Sequence, residues 1–72
     1  MAISYKKLWK LLIDRDMKKK DLVALSGISQ SSVTKMGKNE NVNTDVLVRI
    51  CRALHCDIGD IAEIVLQESN VE

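Results

Sequence analysis

At 72 residues the chain has room for one small domain, and a domain of that size buries only about 60% of the surface its unfolded chain exposes, so oligomerisation would add useful stability. Hydrophobic residues make up 46% and charged residues 29%, with no Pro, no Phe and only three Gly; so few turn formers argue against a sandwich or barrel and for helices with short connections. Net charge is +1, no apolar run approaches the roughly 20 residues that span a bilayer, and Lys6, Lys7 and Lys10 interrupt the N-terminal apolar residues, so the chain reads as intracellular, with no membrane partner.

Five short helices are expected, near residues 4–14, 19–26, 30–36, 45–54 and 58–67, in one all-α domain over residues 1–72. In the first, Tyr5, Leu8, Trp9, Leu12 and Ile13 recur at helical spacing behind a Ser4 N-cap. Because Tyr5 and Trp9 share that stripe with aliphatic residues, they read as core anchors rather than base-stacking platforms. The second helix carries Leu22, Val23 and Leu25 and ends at Gly27, where a left-handed residue is expected. Ser29 caps the third, with Val33 and Met36 turned inward. A polar, Asn-rich connection over residues 37–43 follows. Thr44 caps the fourth helix, whose buried stripe is Leu47, Ile50, Cys51 and Leu54, with Arg49 and Arg52 outside it. Asp57, with Asp60 three residues on, caps a fifth helix whose apolar face is Ile58, Ile61, Ile64 and Val65. Residues 68–72 are expected to fray.

Cys51, Cys56 and His55 form a local group, but their spacing fits no usual zinc pattern and no second ligand pair stands elsewhere, so no metal and no cofactor are expected. A disulfide looks geometrically poor for two residues on or just past one helix, and buried free thiols are the simpler expectation. With one His and no glycine-rich phosphate loop, nothing assembles into a catalytic constellation, so no enzyme and no small-molecule ligand are expected.

Charge is unevenly placed. Residues 1–38 carry nine basic against three acidic side chains, and residues 39–72 carry two against seven. One half can therefore face a polyanion while the other stays solvated. Lys18, Lys19 and Lys20 crowd the start of the second helix, where the helix dipole disfavours cations by about 0.3–1 kcal/mol each. An anion there offsets that cost, and exposed N–H groups at a helix start suit a phosphate. The outward positions of the third helix are Gln30, Ser31, Thr34 and Lys35, none of them acidic; Gln pairs with adenine, Ser with several bases, and Lys with guanine or phosphate. Two short helices joined by a Gly-containing turn form the helix-turn-helix unit.

Residues 19–36 resemble the motif of the lambda-repressor-like (Cro-type, XRE) helix-turn-helix family through Leu22, Val23, Gly27, Ile28, Val33 and Met36. The resemblance continues through residues 47–54 and the ending Leu54-His55-Cys56-Asp57-Ile58-Gly59-Asp60-Ile61, covering the chain from about Tyr5 to Ile64. It implies a small single-domain DNA-binding protein, bacterial or phage-encoded and cytoplasmic, acting as a sequence-specific transcriptional regulator, a repressor by expectation. By that resemblance the base-reading positions fall on Gln30, Ser31 and Lys35. Phosphate contacts fall on Lys19, Ser32, Lys38, Asn39 and Asn41, with Lys18 and Lys20 added by the charge argument. Double-stranded DNA and a second copy are the implied partners, since such proteins bind paired half-sites as dimers. Ile61, Ile64, Val65 and Leu66 are the candidate dimer surface, with closure of the monomer core as the other use of that run. The alternative reading is a protein-interaction module or antitoxin-like partner that keeps the fold without specific DNA binding. The chain departs from the family pattern at Lys19 (often Gln), Val23 (usually Ala) and Gly37 (commonly acidic). The last change removes the residue expected to end the recognition helix.

Overall fold

The computed structural model describes residues 2–66. Its elements are strand β1 (Ala2–Ser4), helices α1 (Lys6–Asp14), α2 (Lys19–Ser26), α3 (Gln30–Gly37) and α4 (Thr44–Leu54), a 3-10 turn over Ile58–Asp60, and strand β2 (Glu63–Val65). The core is formed by Tyr5, Leu8, Leu12, Leu22, Ile28, Val33, Met36, Leu47, Ile50, Leu54, Ile61 and Ala62. Every helix contributes to it, and α2 packs against both α3 and α4. Ile13 and Leu25, expected on apolar stripes, are exposed instead. Each lies at an edge of a short helix whose remaining apolar positions suffice to fill the core.

Two expectations need correction. The fold is mostly helical but not all-α, because β1 and β2 pair antiparallel with Ala2 opposite Val65, Ile3 opposite Ile64 and Ser4 opposite Glu63. The first helix accordingly begins after Tyr5, and the Ser4 hydroxyl accepts the Lys6 N–H at 3.3 Å without capping the helix proper. Likewise, no fifth α-helix spans the end of the described chain. The Asp57 and Asp60 carboxylates do close the expected box, accepting from the Ile58 and Asp57 N–H groups at 2.7 and 3.0 Å, yet what they start is a single 3-10 turn. Gly59 inside that turn weakens any helix, and the β-branched Ile64 and Val65 suit an extended strand. Such a short apolar run satisfies either periodicity, and the available partner strand decides between them. Gln67 and residues 68–72 lie outside the described part.

The helix ends share one device. Gly27 closes α2 at φ 78°, its N–H donating to the Val23 carbonyl. In a chain with three glycines the other left-handed positions fall to Asp16, Asn39 and His55, at φ 55–57°, and Asn, Asp and His are the non-Gly residues enriched there. After each of these three, the next N–H reaches back to the last helical turn: Met17 to the Leu12 carbonyl (2.8 Å), Glu40 to Lys35 (2.9 Å) and Cys56 to Cys51 (3.0 Å). This is the reversal that satisfies orphan carbonyls at a helix C-terminus. Arg15 adds to it at a distance, its guanidinium donating to the Leu54 carbonyl at 2.6 Å at the end of α4, where positive charge complements the helix dipole.

Candidate nucleic-acid interface

The α2–turn–α3 unit is built as the residues require. Leu22 from α2, Ile28 from the turn and Val33 and Met36 from α3 are all buried, so α3 is pinned by its inner face and its outer face is left to solvent. At its start, Ser29 accepts the Ser32 N–H at 3.2 Å, and its hydroxyl also meets those of Ser31 and Ser32 at 3.0 Å each. The Thr34 hydroxyl bonds back to the Gln30 carbonyl at 3.1 Å. The outer face therefore consists of Gln30, Ser31, Thr34 and Lys35, all exposed, with Ser32 half-buried beside them. Among the described residues no hydrogen bond engages the Gln30 amide or the Lys35 ammonium, so both heads are available to a ligand.

At the start of α2, Lys18, Lys19 and Lys20 are exposed. Asp21 relieves part of the crowding, its carboxylate accepting the Lys18 N–H at 2.8 Å and standing in the first turn, where negative charge complements the dipole. Lys19 does not splay freely: its ammonium lies 4.7 Å from the centroid of the half-buried Trp9 ring. A cation over an aromatic face is held in place while remaining charged. Trp9 thus has a role beyond filling space, one that helical periodicity alone does not reveal.

The loop after α3 holds the feature that sequence reasoning missed. Gly37 is the last residue of α3 rather than its terminator, and Asn39 turns the chain instead. The Asn39 carboxamide oxygen accepts the Tyr5 N–H at 3.3 Å, and the Tyr5 hydroxyl donates to the Glu40 carbonyl at 2.9 Å. Burial raises the Tyr5 phenol above its ordinary pKa of 10, which keeps it a donor. One buried tyrosine thereby ties the loop carrying Lys38, Asn39 and Asn41 to the start of α1, and all three side chains remain exposed. Tyr5→Phe should lower unfolding stability by about 1 kcal/mol, the net worth of one such hydrogen bond. Urea titration checks it; a variant as stable as the parent would mean the hydroxyl holds nothing.

Ile61, Ile64, Val65 and Leu66 are separated by the structure. Ile61 is fully buried, whereas Ile64, Val65 and Leu66 are exposed at 60, 40 and 69%. Ile61 therefore closes the monomer core, and only the other three can meet a partner.

Compared with known proteins, the chain matches the family described as the Cro/C1-type HTH DNA-binding domain over residues 7–67. The chain belongs to the Cro/C1-type helix-turn-helix family. That family is a DNA-binding class rather than an enzymatic one. The chain is also similar to a solved structure, that of the transcriptional regulator VanUg (crystal form II), which is 56% identical, with a TM-score of 0.86, over 92% of this chain and 88% of that one. No curated protein matches the chain. Among the described residues no helix is long and apolar enough to cross a membrane.

Proposed function

We propose that residues 1–72 form one DNA-binding unit of a sequence-specific transcriptional regulator, which represses by occupying an operator as a homodimer in the cytoplasm of a bacterial or phage-infected cell. In this reading α3 enters the major groove, as the second helix of such a motif does. Gln30, Ser31 and Lys35 meet base edges. Lys18, Lys19, Lys20, Ser32, Lys38, Asn39 and Asn41 hold the phosphates, which fix register without reading sequence. The observation that carries the proposal is the outer face of α3, exposed, free of acids and pinned from behind by Val33 and Met36, in a chain of Cro/C1 type. The regulator VanUg, similar over most of its length, adds support. The exposed Ile64, Val65 and Leu66 are the surface we assign to the second copy.

Binding involves no covalent chemistry. Lysines displace counterions from the DNA, so affinity should fall steeply as salt rises. Lys19→Ala should weaken binding to all sequences alike and reduce the slope of log K against log salt by about one. Fluorescence anisotropy over a salt series on operator and random duplexes measures both. Undetectable binding to mixed genomic DNA at low salt would exclude the regulator reading. Selection from a random duplex pool supplies the operator, and a palindromic consensus is expected if two copies bind.

A further inference from the structure

We propose that Cys51 and Cys56 are a redox site: they close a reversible intramolecular disulfide by exchange with low-molecular-weight disulfides, clamping the end of α4 to the turn that follows it. The geometry comes from the left-handed His55. It reverses the chain so that the Cys56 N–H donates to the Cys51 carbonyl at 3.0 Å. In this reversal the side chains of the two residues so joined are the ones that meet, ordinarily as a hydrophobic contact. At the end of α1 the same turn joins Leu12 and Met17, an apolar pair of the usual kind. At the end of α4 the corresponding pair is two thiols. Helical periodicity, which sets residues five apart on different faces, hides this proximity, since Cys56 is no longer on the helix.

Both thiols are free, half-buried, and line one open groove with Leu47, Val48 and Ile58. They are thus within reach of a small reagent. Among the described residues no set of three His, Cys, Asp or Glu side chains gathers to hold a metal, so the pair reads as a dithiol rather than half a zinc site. Burial, the neighbouring Cys56 thiol, and Asp57 and Asp60 push the Cys51 thiol up to about 11. A disfavoured thiolate slows exchange at neutral pH but also makes a poorer leaving group, which favours the disulfide once it has formed.

The exchange balances in two steps. One cysteine, as thiolate, attacks a sulfur of the small disulfide, forming a mixed disulfide and releasing one small thiolate, which takes up a proton. The second cysteine loses its proton to solvent and attacks the cysteine sulfur of the mixed disulfide, releasing the second small thiolate, which is protonated in turn. The two cysteines are oxidised together and the small disulfide is reduced to two thiols.

The test is to incubate the purified full chain with oxidised glutathione, quench with acid and measure intact mass. The expected product is a monomer two hydrogens lighter, restored by dithiothreitol. The closed form should outweigh the single glutathione adduct more strongly in the folded chain than in urea, because the turn holds the two cysteines together for the second, intramolecular step. Cys51→Ser and Cys56→Ser should each stop at one glutathione adduct. Two adducts on the parent chain, a disulfide-linked dimer, or a ratio of closed form to adduct no higher when folded than in urea would each overturn the proposal. None of these readouts involves DNA, so the outcome is independent of the function proposed above.

Discussion

Gln30→Ala should cost about 1–3 kcal/mol of affinity on the selected operator and leave binding to random duplexes nearly unchanged. Gln30 is the first residue of α3 and is exposed, and the N-terminal residues of a recognition helix are those that contact base edges. Its amide can donate to and accept from one adenine at once, and a wrong base forfeits both bonds. Because the side chain carries no charge, its loss releases no phosphate contact, and the salt slope should stay where it was. Alanine is a good helix former, so the melting temperature serves as a control. Paired titrations on operator and random DNA give the answer. Equal losses on both, or a reduced slope, would move Gln30 from the base-reading to the phosphate-binding set.

Ile61→Ala should destabilise the domain by about 2–5 kcal/mol, the cost of removing a fully buried branched side chain and leaving a cavity. For a domain this small that is a large share of a total stability of roughly 5–15 kcal/mol at best. Ile61 follows the 3-10 turn and is completely buried, whereas Ile64, three residues on, is largely exposed in β2. Ile64→Ala should therefore change monomer stability by less than about 0.5 kcal/mol. Urea unfolding at low protein concentration separates the two variants. If Ile61→Ala unfolded at the parental midpoint while weakening self-association, the assignment of Ile61 to the core would fail.

Much of the helix-turn-helix was legible before the structure. Gly27, Ser29, Val33 and Met36 do what their types and spacing indicated, because a cap or an i, i+3 contact is settled within one or two turns of the chain. The outward face of α3 could be read for the same reason. Less visible were the holdings of that face: Trp9 under Lys19, and Tyr5 reaching the loop after α3. Tyr5 lies 34 residues from Asn39 and 35 from Glu40, and no local pattern announces a bond at such separation. The one hint was the departure at Gly37, which left the end of α3 without an obvious terminator. Asn39, a residue that tolerates the left-handed region, was available nearby.

Local sequence by itself determined the four α-helices, the caps of α2 and α3 at Gly27 and Ser29, the Asp57–Asp60 box that starts the 3-10 turn, and an acid-free outer face on α3. These depend on backbone hydrogen bonding and side-chain type over a few residues, and on little else. Tertiary structure decided the fate of residues 58–66, and the turn at His55 decided that of the two cysteines. Ile58, Ile61, Ile64 and Val65 match a helical stripe, but β1 offers unpaired backbone groups alongside, and pairing makes Glu63–Val65 an exposed strand while Ile61 and Ala62 before it are buried. Cys51 and Cys56 fall on different faces if a helix is simply continued through both. A single left-handed residue, His55, reverses the chain between them and returns the Cys56 N–H to the Cys51 carbonyl, because the dihedral angles of one residue outweigh a periodicity that holds only while the helix lasts.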